Sequence, residues 1–180
     1  MASKTGADDL YQQTSAEFGA ALERLAYAYE ADAERRQDLL QEIHLQLWRS
    51  FEKFNGRCSL RTWIYRVAHN VATSHVIRQA RRKRNAPAFL TLEEAEAEAQ
   101  AGRDNVEISA DRNLGRAHLL ALIQRLDFVD RQVILAYLED LDAATIAEIT
   151  GLSTANVWTR IHRIKSVLTR QFHAGGQNAL

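Results

Sequence analysis

The sequence predicts an all-α protein: two small helical domains, an N-terminal helical bundle and a C-terminal helix-turn-helix domain, joined by a flexible acidic linker. Three observations predict it. Apolar residues recur at helical spacing from Tyr11 to Arg82 and again from Ile108 to Phe172. Between these stretches, Asn85 to Ala110 holds the one proline, Pro87, and is rich in Glu and Ala but poor in large apolar side chains. Charge also changes sign along the chain. Met1–Glu52 carries ten acids and five bases, Lys53–Leu92 nine bases and no acid, Glu93–Glu148 thirteen acids and five bases, and Thr150–Leu180 four bases and no acid. The expected organisation is a frayed terminus over residues 1–10, a bundle over 11–84, a linker over 85–110, a second domain over 111–172 and a disordered tail over 173–180.

In the bundle, Phe18, Leu22, Leu25, Ala26 and Tyr29 form the stripe of a first helix, and Leu40, Ile43, Leu47 and Phe51 the inner face of a second, from about Ala33 to Phe51. Asn55 and Gly56 mark a turn, and Ser59 caps a third helix running to Arg82. Its expected inner face is Leu60, Ile64, Val67 and Val71, with Thr62, Tyr65, Arg66, His69, Asn70 and Thr73 opposite. Residues 91–101 suit at most a transient helix within the linker.

The formal net charge is zero, which argues against coating nucleic acid by bulk charge; the segregation points instead to two local basic surfaces. In the acid-free window, Lys53, Arg57, Arg61, Arg66, Arg78, Arg81, Arg82, Lys83 and Arg84 are interleaved with Phe54, Trp63 and Tyr65. Cations mixed with flat rings suit a phosphate backbone and unstacked bases, although a solvated basic helix face has the same composition. Cys58 is the single cysteine, so no internal disulfide is expected and a reducing compartment is. The start MASKTGADDL lacks the apolar core of a signal peptide, and no run approaches the length of a membrane span. The expected location is the cytoplasm, without membrane insertion.

The last third gives the most specific local signal. Helices are expected over Ile108–Leu126 and Phe128–Leu138, followed by DAATIAEITGLSTANVWTRIHRIKSVLTRQF. Ala147, four residues before Gly151, allows two helices to approach closely, Gly151 permits the turn, and Ser153 caps the next helix. Val157, Ile161, Ile164 and Leu168 face inward; Asn156, Thr159, His162, Arg163 and Arg170 face out, with no acid among them. This is a helix-turn-helix suited to duplex DNA.

In combination, DLLQEIHLQLW, FNGRCSLRTWIYRVAHNVA, an acidic linker and GLSTANVWTRIHRIK resemble sigma factors of bacterial RNA polymerase, in the compact form of the extracytoplasmic-function group of the sigma-70 family. The resemblance covers about residues 12–84 and 110–172. It implies that Asp38, Gln41, Glu42, His44 and Trp48 dock on the clamp helices of the largest core polymerase subunit, with a further contact to the flap of the second-largest subunit. It implies that Phe54, Asn55, Arg57, Ser59, Arg61 and Trp63, with Tyr65, Arg66, Asn70, Thr73 and Ser74, recognise the −10 promoter element and capture a flipped base, while Arg78, Arg81 and Arg82 grip phosphates. From the helical wheel Trp63 lies near the apolar stripe, and Tyr65 is the better outward candidate. The helix-turn-helix would read the −35 element through Ser153, Asn156, Trp158, Thr159, Arg160, His162, Arg163 and Lys165, Asn156 suiting adenine and Arg160 or Arg163 suiting guanine or phosphate. Trp158 departs from the family pattern, which has Lys or Arg there; packing against the preceding helix is its alternative fate. A separate anti-sigma protein covering one or both basic surfaces is the expected regulator.

No catalytic constellation, phosphate loop or metal-ligand spacing is present: His69 and His75 lie off-face from one another, and Cys58 has no CxxC partner. No enzyme activity and no cofactor is expected. The competing readings are a stand-alone helix-turn-helix regulator, which leaves the acid-free window without a role, and a helical interaction adaptor.

Overall fold

The computed structural model describes residues 2–82, 89–101 and 112–174. It divides into two compact units, Met1–Ala86 and Pro87–Leu180, and its regular structure among the described residues is α-helical.

The first unit packs α1 (Ala2–Tyr29), α2 (Ala33–Phe51) and α3 (Leu60–Arg82). Residues 2–10, expected to fray, are helical, because α1 runs from Ala2. Asp32 caps α2 by accepting a hydrogen bond from Arg35 N at 3.0 Å, and that bond holds its carboxyl below the usual range. The core joins Leu22, Leu25 and Ala26 of α1 to Leu39, Ile43, Leu47 and Phe51 of α2. Each such Leu or Ile contributes about 1.5–3 kcal/mol by leaving water. In α2, Leu39 occupies the buried position and Leu40 is half-buried, one residue away from expectation.

The third helix is rotated from its expected placement. Its buried side chains are Thr62, Ile64, Tyr65, Ala68, His69, Ala72 and His75, whereas Val67 and Val71 are half-buried. Two physical reasons favour this face. Ala68 and Ala72 let neighbouring backbones approach, and the polar members find partners. Tyr29 Oη and His69 Nδ1 hydrogen-bond at 3.0 Å, His75 Nε2 and Glu30 Oε2 lie 3.2 Å apart, and Thr62 Oγ1 meets Ser59 Oγ at 2.7 Å.

The second unit holds α4 (Leu92–Ala101), α5 (Arg112–Arg125), α6 (Phe128–Leu138), α7 (Ala143–Thr150) and α8 (Thr154–Ala174). The segment 91–101, expected as part of a linker, is a docked helix instead. A reciprocal cap starts it, with Thr91 N donating to Glu94 Oε2 at 2.8 Å and Glu94 N to Thr91 Oγ1 at 3.3 Å. Leu92 and Ala95 are buried, and Leu90 makes a parallel bridge to Leu126. The parts of the expected linker at 85–88 and 102–110, and the expected tail beyond 174, lie outside the described residues.

Two adjacent side chains of α6 order the rest. Arg131, 1% exposed, donates to the carbonyls of Gln124 and Leu126 and so satisfies the C-terminal end of α5. Asp130, equally buried, reaches the opposite way to α8. Asp142 caps α7 through Thr145 N at 2.7 Å, and Gly151 (φ 76°) closes it in the left-handed region that L side chains rarely adopt. Val157, Ile161, Ile164, Val167 and Leu168 then seat α8 on Val133, Ile134 and Ile146.

Candidate functional site

The outer face of α2 presents Asp38 and Gln41 exposed. Leu45, 43% exposed, lies on the same stripe, two helical turns along from Asp38. The sequence reading missed it, although a Leu at i+4 from Gln41 on a polar face is a visible signal. His44 and Trp48 are less open than expected. Trp48 is half-buried and donates from Nε1 to Asp8 Oδ1 at 2.8 Å; His44 Nδ1 meets Tyr11 Oη at 3.2 Å, and burial holds its imidazole below the usual range. The residues responsible sit on α1, a helix longer than the sequence suggested.

Glu42 leaves that face for a groove of about 400 Å³ between α2 and α3, lined by Gln46, Ser50, Val67, Asn70, Val71, Ser74 and Arg78. Arg78 Nη2 donates to Glu42 Oε2 at 2.6 Å. A residue expected to touch polymerase and one expected to grip DNA are therefore paired. Asn70 and Ser74 are exposed in the groove; Thr73 and Arg66 are half-buried beside it.

Before α3, Asn55 Oδ1 accepts from Arg57 N at 3.2 Å, and Gly56 takes φ 73°. This turn exposes Asn55, Arg57 and Ser59, and Ser59 caps α3 through Thr62 N at 3.0 Å. Phe54 and Trp63 lie in tilted contact, 5.5 Å between ring centroids, both half-buried, with Trp63 Nε1 donating to Ser50 Oγ at 2.9 Å. Tyr65 is the clear correction: at 2% exposure it belongs to the core, edge-on to Phe18, and is no surface for a base. The α3 rotation exchanges the two aromatic assignments. Trp63 lies at the rim, and Arg61, exposed, sits 5.9 Å above the Tyr65 ring. Arg81 and Arg82 are exposed at the end of the helix.

In the second unit, Ser153 caps α8 through Asn156 N at 3.2 Å, and Asn156, Thr159, His162 and Lys165 are exposed. Trp158 is 56% exposed and borders an apolar groove with Tyr137, Ile161 and Lys165, whose Nζ lies 5.4 Å from the Tyr137 ring. The two arginines expected to read bases are turned sideways. Arg160 Nη1 donates to buried Asp130 at 2.5 Å, and its Nε to Asn156 Oδ1 at 3.2 Å. Arg163 is held by Glu93 and Glu96 of α4, which raise the affinity of its guanidinium for its proton.

This layout can be set beside known proteins. The Sigma-70 region 2 family model matches residues 15–82, and the Sigma-70, region 4 model matches residues 116–168. The RNA polymerase sigma-H factor of Pseudomonas aeruginosa is 32% identical over 146 residues, which cover 79% of this chain and 70% of that protein. The chain belongs to the sigma-70 family of sigma factors. Similar proteins include the ECF RNA polymerase sigma factor SigW of Bacillus subtilis, 24% identical over 82% of this chain and 81% of that one. The ECF RNA polymerase sigma-E factor of Escherichia coli is 30% identical over 64% of this chain and 56% of that protein. The chain is accordingly an ECF-type, promoter-specificity sigma factor. It spans 40% of the length of the Mycobacterium tuberculosis ECF sigma factor SigG. Among solved structures, that of CnrH in complex with the cytosolic domain of CnrY matches with a TM-score of 0.63 at 21% identity, covering 97% of this chain and 99% of that one, which shows a shared fold.

For this sigma factor, region 2 thus contains the α2 face, the groove and the basic side of α3, and region 4 contains the helix-turn-helix. Helix α4 lies between the two matched stretches. Among the described residues, no helix is long and apolar enough to cross a membrane and no His/Cys/Asp/Glu group has the arrangement of a metal site.

Proposed function

We propose that this sigma factor docks on the clamp helices of core RNA polymerase through Asp38, Gln41, Leu45 and the neighbouring Glu42, and reads two promoter elements with its two units. The observation that carries this is the exposed polar and basic residues of the acid-free stretch of region 2. Between Lys53 and Arg82 the exposed Asn55, Arg57, Ser59, Arg61, Asn70, Ser74, Arg78, Arg81 and Arg82 run from a capped loop to the end of α3. A melted strand offers this surface phosphates for the arginines and splayed bases for the Phe54–Trp63 rim and the Asn70–Ser74 groove. Capture of a base there offsets an unpairing cost of a few kcal/mol.

The exposed Asn156, Thr159, His162 and Lys165 of α8, with Trp158 at their flank, enter the major groove of the upstream element as intact duplex. A contact between region 4 and the flap of the second-largest polymerase subunit completes the docking. The role requires no catalytic residue of the chain's own. It is exercised in the cytoplasm, on the nucleoid, and a regulatory anti-sigma protein holds the factor when it is not needed; the complex of the similarly folded CnrH with the cytosolic domain of CnrY supports a partner of that kind.

Run-off transcription with purified core polymerase tests the proposal. Promoter-directed transcripts that require this chain are the expected result. DNA binding by the free chain without any association with core polymerase would favour a stand-alone helix-turn-helix regulator instead.

A further inference from the structure

Arg163 lies on the outward side of the helix-turn-helix, yet its guanidinium is already occupied. Its Nε donates to Glu96 Oε1 at 2.8 Å and its Nη2 to Glu96 Oε2 at 2.9 Å, a bidentate fork, while Nη2 also reaches Glu93 Oε1 at 3.0 Å. The fork is the same geometry by which an arginine would engage a phosphate or the O6/N7 edge of guanine. Both acids belong to α4, and they put two negative charges where a DNA backbone would have to pass.

The hold on α4 is strong enough to place it and slight enough to release it. A ten-residue helix is marginal alone. This one is kept by the Thr91–Glu94 cap, the Leu90–Leu126 bridge, a Glu98–Arg125 pair at 2.6 Å and the burial of Leu92 and Ala95. Two apolar anchors are few, and beside the cap and the bridge the attachments are partly exposed ion pairs that salt weakens.

We propose that α4 is a built-in mask for the duplex-reading helix: Glu93 and Glu96 stand in for DNA phosphates on Arg163, and promoter duplex binds only as they are displaced. The proposal rests on α8 being the duplex-facing helix. Apparent affinity of the free protein for DNA is reduced by the fraction of molecules in the masked state. Any event that draws α4 away, core polymerase binding included, raises it.

The test uses the full chain and fluorescence anisotropy with 30-base-pair duplexes of random sequence at low salt. Glu93→Gln/Glu96→Gln is compared with Asp140→Asn/Glu148→Gln, which changes the net charge equally at exposed acids outside α4 and leaves the attachments of that helix in place. The first pair is expected to tighten binding about three- to tenfold beyond the second, on the scale of two released ion pairs. It should also steepen the salt dependence by about one phosphate contact. Adding Arg163→Ala should abolish the difference. Equal gains in the two pairs, or a gain that survives Arg163→Ala, overturns the mask. Lys165→Ala, which α4 does not engage, separates the two layers of the proposal. Weaker binding by Lys165→Ala with no gain from Glu93→Gln/Glu96→Gln overturns the mask alone. No change in either variant overturns both the mask and the placement of α8 on duplex.

Discussion

Arg160, on the helix expected to read DNA, donates to Oδ1 of Asp130 at 2.5 Å, and Asp130 is 0% exposed on α6. The other carboxylate oxygen, Oδ2, is buried with no hydrogen-bond partner. This arginine therefore holds the helix-turn-helix together before it holds anything else. Arg160→Ala should cost about 2–3 kcal/mol, less than for a fully enclosed pair because Arg160 retains some solvent contact. Burial raises the Asp130 pKa, with Asp127 and Glu93 pushing the same way and Arg160 opposing. A raised carboxyl pKa means stability that is present below the unfolded value and lost as pH rises through the folded one. The Arg160→Ala penalty should thus grow from acid to neutral pH. Asp130→Asn, which removes the charge, should recover most of it in the double variant. Urea midpoints at pH 4 and pH 7 decide the matter; a penalty independent of pH would show that the carboxylate charge is not its source.

His69 supplies a second pH dependence, of opposite sign. Burial lowers its pKa from 6.5 to about 4, and Nε2 has no partner in the core. The folded state keeps the ring neutral, so the associated stability is complete above the unfolded pKa and is lost as pH falls from 6.5 toward 4. The loss approaches about 3 kcal/mol at the lower limit. The lowered His44 contributes in the same direction. Replacing both hydrogen-bond partners, as Tyr29→Phe/His69→Leu, avoids stranding the Tyr29 hydroxyl and should flatten the dependence of the region 2 unfolding midpoint between pH 7 and pH 4.5. An unchanged slope would assign the acid sensitivity elsewhere.

The contrast between these two sites explains what was legible beforehand. Helix-turn-helix geometry could be read from Gly151, Ser153 and the Val157–Ile161–Ile164–Leu168 stripe because cap, turn and period agree there. The inner face of α3 could not. Its buried set mixes Thr62, Tyr65, His69 and His75 with alanines, and partners on other elements, such as Tyr29 and Glu30, make those polar groups suitable for burial. Val67 and Val71, more apolar by type, line an open groove instead. Helix α4 was misread for a related reason. Glu and Ala spacing gives no apolar stripe, and its docking depends on Arg163 and Arg125, far along the chain. Of the proposed site residues, those made accessible by local signals, Asn55, Arg57 and Asn156, needed no tertiary information.

Leu45 gives a test of the proposed polymerase-facing surface. It is an exposed apolar side chain among Asp38, Gln41 and Arg49, and nothing in the bundle requires it to be apolar. Leu45→Asp should leave unfolding within about 0.5 kcal/mol of the parent. It should weaken association with core polymerase about tenfold or more, as truncation of a central interface anchor does. Competition against a labelled sigma factor for core polymerase measures this. Unaltered competition would move the docking surface off this face of α2.

The groove between α2 and α3 separates recognition of a base from attraction to the backbone. Asn70 offers an amide, which can pair with a base edge but carries no charge, whereas Arg78 offers charge and is partly neutralised by Glu42 at 2.6 Å. Asn70→Ala should therefore leave the closed complex intact and slow strand opening, read as a reduced rate of permanganate reactivity at thymines of the downstream element. Arg78→Ala should weaken the closed complex on every promoter alike and reduce the salt slope of binding by about one. Glu42→Gln, by releasing Arg78, should strengthen DNA binding by the holoenzyme even as it removes a polymerase contact. In the proposed docking the two partners face different macromolecules, so polymerase that draws Glu42 to itself also frees Arg78 for a phosphate. Grip on DNA would then follow docking. An Arg78→Ala effect on core polymerase affinity equal to its effect on DNA would dissolve that ordering, since it would make the pair a structural tie of the bundle and not a relay between its two surfaces.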